Sequence, residues 1–307
     1  MSVASLMGAM PGNVAQGIMW GIMALGVFLT FRILDFADLT VDGSFATGGA
    51  VTVMLIINGW SAPAALFVAF LAGLLAGIVT GLLHTLLGIP GILAGILSQI
   101  ALYSVNLNIM SGSNQALSVD QFSLIVSLRH LSESIVVSIV FVIAIIALMY
   151  WYFGTEQGSA VRATGNNPNM SRAQGININL MKVIILGLSN AFVALSGGLI
   201  AQYQGFADIN MGRGAIVIGL AAVIIGEVIG NAFFGKKMNF IIRLSFVVLG
   251  AVIYYIVIGV VLWLRMPTDD LKLFTAIIVA IFLAVPYLRG QMKNSFHKSA
   301  RKGGNAS

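Results

Sequence analysis

One acidic side chain and one set of polar side chains could carry chemistry within the long apolar stretches of this sequence. Glu227, between Gly226 and Val228, is the only acid well inside such a stretch. An ionisable residue within a membrane span indicates a functional site, so Glu227 could hold a proton or a coupling cation. A single acid near the end of a span also fits a packing or gating role, paired with Arg32 or Lys236. Both interpretations stay open.

The polar set lies at helical spacing in two of these stretches. Gln99, Tyr103 and Asn106 are separated by four and then three residues, which places them on one face of a helix. A polar face inside a membrane contacts protein or a water-filled path, not lipid. The residues predicted to line a substrate pathway are Ser98, Gln99, Tyr103, Asn106, Asn190 and Ser196. Hydrogen bonding between helices is the alternative for each of them.

The sequence has no pattern typical of an enzyme. It contains no cysteine, and its three histidines are far apart, which excludes a thiol nucleophile and gives no metal-ligand spacing. The stretch 230–237 resembles a phosphate-binding loop, but Lys237 stands where that loop needs Ser or Thr to hold magnesium. We therefore predict that the chain does not hydrolyse ATP by itself and binds no metal or cofactor.

The composition determines which elements can position these residues. Of the 307 residues, 59% are hydrophobic and only 8% are charged, whereas soluble domains carry about 25% charged residues. This balance excludes a soluble globular domain, and it also excludes a disordered chain. The sequence therefore predicts an all-α polytopic membrane protein.

The charge-free runs divide into segments long enough for about 20 residues of membrane-spanning helix each. About nine spans are predicted, with eight to ten compatible: 12–33, 43–58, 63–84, 90–108, 133–153, 179–203, 213–234, 241–264 and 271–288. Residues 1–290 are expected to form a single transmembrane domain, and residues 291–307 a basic tail.

Basic residues concentrate on one side of these spans. Twelve of the 16 Lys and Arg residues fall in segments on the side of the C-terminus. Because basic residues favour cytoplasmic segments, the N-terminus is predicted to lie outside and the C-terminus in the cytoplasm. The net charge of +6 is thus explained by membrane topology and a lipid-facing tail, and we expect no nucleic-acid partner.

Two similar segments suggest an inverted repeat. Phe36–Leu39 reads Phe-Ala-Asp-Leu and Phe206–Ile209 reads Phe-Ala-Asp-Ile, an offset of 170 residues. Five predicted spans separate them, so they would face opposite sides of the membrane, as in transporters that alternate access. A chance match of four residues is the alternative.

The segment from about 155 to 178 is the longest polar stretch between spans on the predicted inner side. Ser159–Thr164 is predicted to form a short helix stopped by Gly165, and Ser171–Gln174 a second one stopped by Gly175. Such a pair would present a small apolar face and place Arg162 where a partner's carboxylate could bind it. An ordinary interfacial loop is the alternative.

This segment resembles a known family. Gly158-Ser-Ala-Val-Arg-Ala-Thr-Gly-Asn-Asn-Pro168, continuing to Ala173-Gln-Gly-Ile176, is similar to the cytoplasmic loop of ABC-importer permeases of the branched-chain amino acid and ribose type. Asp35-Phe-Ala-Asp-Leu-Thr-Val-Asp-Gly-Ser44 resembles a subgroup associated with uptake of amino acids, tyrosine and tryptophan among them. The resemblance covers about residues 12–288.

The resemblance implies the membrane subunit of an ABC importer in a bacterial inner membrane. It would translocate a small solute, such as an amino acid or a related compound, by alternating access. Its expected partners are a second copy of the permease, two ATPase subunits that carry ATP and Mg, an extracytoplasmic binding protein and membrane lipid. An ion-coupled secondary transporter that uses Glu227 is the alternative function.

The resemblance also assigns residues to roles. The residues expected to couple the permease to its ATPase are Gly158, Ala160, Arg162, Ala163, Gly165, Asn167 and Pro168. A gating or packing role is expected for Asp38, Asp42, Gly43 and Ser44, and the place of Glu227 near the end of a span gives the same expectation for that residue. The family pattern itself gives Glu227 no role, because glycines are usual at that place.

Overall fold

A computed structural model of the chain describes residues 3–119, 121–235 and 238–263, together with 273, 276, 277, 279–281 and 284. Ten helices are described: α1 Val3–Phe28, α2 Thr40–Ile57, α3 Ala62–Thr85, α4 Gly91–Met110, α5 Leu131–Phe153, α6 Glu156–Asn166, α7 Pro168–Ala173, α8 Ile178–Gln204, α9 Ala215–Phe234 and α10 Phe240–Trp263. A π-helical turn, Leu29–Ile33, extends α1. Two short strands, β1 Asn114–Ala116 and β2 Phe206–Asp208, pair antiparallel.

Eight of the described helices are long and apolar enough to cross a membrane. They correspond to the first eight predicted spans, and the all-α polytopic prediction is confirmed. The predicted ninth span, 271–288, and the tail, 291–307, lie largely or wholly outside the described residues. The residues of that span that are described are helical.

Glycines allow α3 and α8 to pack backbone against backbone. A Cβ added at Gly73 or Gly77 would collide with the carbonyl oxygens of Asn190 or Leu186. Small residues at such steps let membrane helices approach closely, where van der Waals contact supplies the attraction. Gly73 and Gly77, which are four residues apart, therefore mark a structural helix interface.

The two segments of the suggested repeat each begin with a long helix, α1 and α8. These two helices lie against each other at the centre of the bundle. The Oγ of Ser196 donates to the carbonyl of Met19, and the Oγ of Ser189 donates to the carbonyl of Gly26, each at 2.8 Å. Adding 170 to residues 19 and 26 gives 189 and 196, so the two contacts exchange when the halves are swapped. In the same way α1 packs against α9 and α10, while α8 packs against α2 and α3. This is the arrangement expected of an inverted repeat.

The two matching tetrapeptides also form the same local turn. The Oδ1 of Asp38 accepts a hydrogen bond from the amide of Thr40 at 2.9 Å. The Oδ1 of Asp208 accepts one from the amide of Asn210 at 2.7 Å. The halves differ after this turn, because α2 begins at Thr40 whereas α9 begins only at Ala215.

One end of the bundle gathers the described basic residues that were predicted to be cytoplasmic. The ends of α1, α5 and α9 meet the starts of α8 and α10 there, with α6 and α7 across them. The basic residues at this end, which we call the basic end, are Arg32, Arg162, Arg172, Lys182 and Arg243. The two strands and the start of α9 lie at the opposite end.

Candidate functional site

A cavity of about 360 Å³ lies between α2, α4 and the segment that leads into α9. Its polar lining comes from three places in the sequence. The lining residues are Asp42, Gly43, Ala46, Gln99, Ile100, Tyr103, Ser104, Asn106, Ile209 and Arg213. We call it the central cavity.

The polar face of α4 opens into the central cavity. Gln99, Tyr103 and Asn106 line it together, as their helical spacing predicted. Asn106 is only 1% exposed, yet neither the oxygen nor the nitrogen of its side-chain amide has a hydrogen-bond partner within the described residues. Buried polar groups are nearly always hydrogen-bonded. The amide of Asn106 therefore lies at the wall of the cavity with its hydrogen-bonding capacity unused within the described residues.

Asp42 joins the start of α2 to the start of α9. Its Oδ1 accepts from the amide of Ile216 at 2.9 Å and its Oδ2 from the amide of Gly214 at 3.0 Å. These amides belong to the first turn of α9, where the helix dipole is positive and favours a carboxylate. Asp42 also lies against Gly212, the residue 170 positions later, so the two halves meet here.

Gly43 lets α4 approach the start of α2. A Cβ at Gly43 would lie 3.0 Å from a methyl of Leu102 and 3.2 Å from the Cα of Gln99. A larger side chain would push α4 away and widen the cavity. The neighbouring Ser44 is fully buried, and its Oγ has no partner within the described residues.

A second buried polar network lies beside the cavity and connects four helices. Asn190 donates to Asp38 at 2.7 Å, the hydroxyls of Thr40 and Thr80 are 2.8 Å apart, and Thr80 donates to Ser98 at 2.7 Å. All five residues are at most 4% exposed. Ser98 and Asn190 therefore bond helices together and do not line the cavity. Ser196, bonded to α1, does the same.

Half of the predicted pathway residues thus line the cavity, and five further lining residues were not predicted: Ala46, Ile100, Ser104, Ile209 and Arg213. Ile209 and Arg213 come from the β2–α9 connection, and Ser104 follows Tyr103 on α4. Ser104 could have been found by extending the polar stripe by one residue. Ile209 and Arg213 follow the second Phe-Ala-Asp motif, so the repeat was the available signal for them.

The segment predicted to couple to an ATPase forms two short helices. Thr155 and Asn167 cap them, because their side chains accept from the amides of Gly158 and Met170. The prediction that Gly165 stops the first helix is wrong, since α6 runs to Asn166. The absent side chain of Gly165 instead lets α6 lie against the carbonyl of Ile33.

The expected orientation of this segment needs a second correction. Val161 is fully buried and Ala160 packs against the core, so the small apolar face points into the bundle. An Nη of Arg162 donates to the carbonyl of Phe153 at 2.9 Å, which holds the exposed guanidinium against the end of α5. The outer surface is polar, with Met170 exposed on α7.

Glu227 is paired at the basic end. The Nε of Arg32 donates to its Oε1 at 2.7 Å. Of the two partners considered from the sequence, Arg32 is thus the one observed, and Lys236 lies outside the described residues. The pair connects α9 to the end of α1, far from the central cavity.

A family model described as the permease component of a branched-chain amino acid transport system matches residues 12–286. The chain belongs to this permease family. With eight apolar helices among its described residues, it is a multi-pass permease of the bacterial cytoplasmic membrane.

Named relatives agree with this placement. The permease is 38% identical to a tyrosine transport system permease protein of Clostridioides difficile, over 94% of each chain. It is 33% identical to an uncharacterized protein of Rickettsia prowazekii, over 85% of this chain and 92% of that one. It is 30% identical to an autoinducer 2 import system permease of Yersinia pestis, over 67% of this chain and 58% of that one. The structure of PsaBC from Streptococcus pneumoniae covers 84% of this chain at a TM-score of 0.39 and 15% identity, which is too low to establish a shared fold.

Proposed function

We propose that this permease moves a small solute through the central cavity by alternating access, as the membrane subunit of an ABC importer. The buried amide of Asn106, which has no partner in the part of the chain that the structure describes, carries this proposal, because it gives a membrane-embedded cavity a polar group for a ligand. The cavity also lies where the starts of α2 and α9 meet at the boundary of the two halves. Substrate sites of transporters with inverted repeats occupy such places.

The proposed solute is an amino acid or a related compound. The cavity offers the carboxylate of Asp42, the guanidinium of Arg213 and the aromatic ring of Tyr103 within one small volume. Groups of both charges suit a molecule that carries an ammonium and a carboxylate. The 38% identity with a protein named for tyrosine transport supports the same class.

A second copy of the chain is proposed to cover α4. Only 22% of the apolar window of α4 is buried, and its exposed residues include Tyr103 and Ser104. Polar side chains at membrane depth are disfavoured against lipid. A homodimer that meets along α4 would cover them and bring two central cavities together.

The charge of the basic end supports a proposal for the remaining partners. We propose that this end lies in the cytoplasm, where the polar surface of α6 and α7 docks on an ATPase subunit, two per complex, that carries ATP and Mg. An extracytoplasmic binding protein would then deliver the solute at the opposite end, where β1 and β2 pair.

Uptake of labelled tyrosine by cells that express the intact importer tests the proposal. Asn106→Leu keeps the size of the side chain and removes its polar atoms, so we expect uptake to fall by about tenfold or more. Thermal stability should not fall, because the change removes a buried amide that has no partner among the described residues. The matched control is Asn58→Leu, at the exposed end of α2.

Normal uptake by the Asn106→Leu variant would contradict the role of the cavity. Uptake that is lost together with the folded protein would identify Asn106 as a structural residue instead.

A further inference from the structure

A larger cavity, of about 590 Å³, opens at the basic end between the end of α1, α6 and the start of α10. Three arginines from three different elements line it: Arg32 on the π-helical turn, Arg162 on α6 and Arg243 on α10. Asp35 is the acidic residue in its described lining. We call it the arginine cavity.

The three arginines have more N–H donors than the described hydrogen bonds use. The Nε of Arg32 donates a hydrogen bond to Glu227. One Nη of Arg162 donates to the carbonyl of Phe153 and, over a longer distance, to the Oγ of Ser159. The Nε of Arg243 is buried and has no hydrogen-bond partner within the described residues. A guanidinium carries five N–H donors, and a group of them matches the oxygens of a phosphate.

Aromatic rings contribute to the wall of the cavity beside these charges. Phe240 lies 6.4 Å from Phe28 and 5.3 Å from Phe153, ring centre to ring centre. An anion that binds here therefore meets charge on one side and aromatic rings on the other. A small hydrated ion would leave the aromatic wall unused.

A neighbouring cavity of about 510 Å³ continues from the arginine cavity to the outer surface of α5. Arg162 and Phe240 line both cavities, and Tyr150 and Trp151 line the second one. Tyr150 is 55% exposed and Trp151 is 67% exposed. Tyr and Trp are enriched where a membrane span meets the lipid headgroups, so the second cavity opens toward lipid.

We propose that the arginine cavity binds the phosphate of an anionic phospholipid, whose glycerol and upper acyl chains lie along Phe240, Tyr150 and Trp151. The proposal rests on the orientation given under the proposed function, which places the basic end at the cytoplasmic leaflet. Basic pockets between membrane helices on that side favour anionic headgroups. One bound headgroup would contact α1, α6 and α10, and would tie the segment that docks on the ATPase to the bundle.

The test uses the purified permease in mild detergent, without ATPase or substrate. Phosphatidylglycerol, phosphatidylcholine and inorganic phosphate are added separately, and the melting temperature and the number of bound lipids are measured, the latter by native mass spectrometry. We expect phosphatidylglycerol alone to raise the melting temperature and to remain bound. Arg243→Gln should weaken this binding by about tenfold, because a charge-assisted hydrogen bond is lost.

The matched control is Arg172→Gln, which removes a charge at the same end but outside the cavity. Equal binding of phosphatidylcholine, unchanged binding by Arg243→Gln, or equal weakening by Arg172→Gln would overturn the proposal. Protection by inorganic phosphate equal to that by phosphatidylglycerol would show a free-anion site instead.

Two outcomes separate this proposal from related ones. If Arg243→Gln does not fold, the preference of the wild-type chain for phosphatidylglycerol over phosphatidylcholine still decides the matter. Co-purification of the ATPase with tagged Arg243→Gln is measured separately. If this variant binds lipid normally but no longer retains the ATPase, the arginines serve the protein interface and the lipid proposal is wrong. Because the test needs no transport, a failure of the proposed import function would leave its result unchanged.

Discussion

Asp38 shows how a carboxylate is held inside this bundle by hydrogen bonds from neutral groups. It is 1% exposed and accepts hydrogen bonds from the side chain of Asn190 and the amide of Thr40. The local sequence could not show this, because Asn190 lies on a helix 152 positions away. The sequence motif identified Asp38 as a candidate residue, but only the folded structure shows that Asn190 is its partner.

Asp38→Ala should strongly destabilise the permease. The change removes the acceptor of the Thr40 amide and one of the two acceptors of the Asn190 side-chain nitrogen, which keeps its bond to the carbonyl of Leu186. Each lost acceptor costs about 1–3 kcal/mol. The loss is measured as a fall in melting temperature in detergent. Asp208→Ala is the control, because the same turn there is less buried. Equal falls for the two variants would contradict the special burial of Asp38.

Glu227→Gln should leave uptake within about twofold of the wild type. The Arg32 side chain in the pair is 51% exposed, and exposed ion pairs contribute only about 0–1 kcal/mol. Uptake by cells that express the intact importer measures this. Glu227→Lys should reduce uptake more than Glu227→Gln does, because it places a second positive charge beside Arg32. Loss of uptake in Glu227→Gln would favour the ion-coupled alternative.

At the scale of elements, the spans were predictable and their junctions were not. Runs of apolar residues predicted the bounds of seven of the eight described spans to within three residues, because a bilayer demands that length. The first span begins earlier than predicted, at Val3 and not at residue 12. The segment 34–39 is different: Asp35 has a φ of 54°, a left-handed conformation that few non-glycine residues adopt. The pairing of β1 with β2 was also missed, since some 90 residues separate two strands of three residues each.

Some residues of the candidate site were also predictable from the sequence, and others were not. The helical period correctly placed Gln99, Tyr103 and Asn106 on one face of α4. It could not tell that Ser98, one residue earlier, points to Thr80. Adjacent helix positions differ by about 100° in direction, and only the packing of α3 decides which of them meets a cavity.

The segment α6–α7 should be needed for association with the ATPase. We expect Arg162→Glu combined with Pro168→Ala to abolish co-purification of an ATPase with the tagged permease. Pro168 occupies the first turn of α7, where its fixed φ suits a helix start. Asn114→Ala, on β1 at the opposite end, is the control and should retain the ATPase. Retention by the double variant would show that the ATPase docks elsewhere.

For the whole molecule, the orientation can be tested without background labelling, because the chain has no cysteine. We expect a membrane-impermeant maleimide to label Asn114→Cys in intact spheroplasts and Glu156→Cys only after lysis. Both residues are exposed, on β1 and α6 respectively. The reverse pattern would place the basic end outside and would contradict both the topology and the proposed ATPase docking.

The central pairing of α1 with α8 has a consequence for how the protein is made. About 150 residues are synthesised between the two helices, which at ribosomal speeds takes roughly 10–30 s. During that time α1, whose apolar window ends 83% buried, must wait in the lipid without its main neighbours α8 and α10. Insertion and assembly are therefore separate stages for this chain. A truncated product that ends before α8 would be inserted but unassembled, and would be a substrate for membrane quality-control proteases.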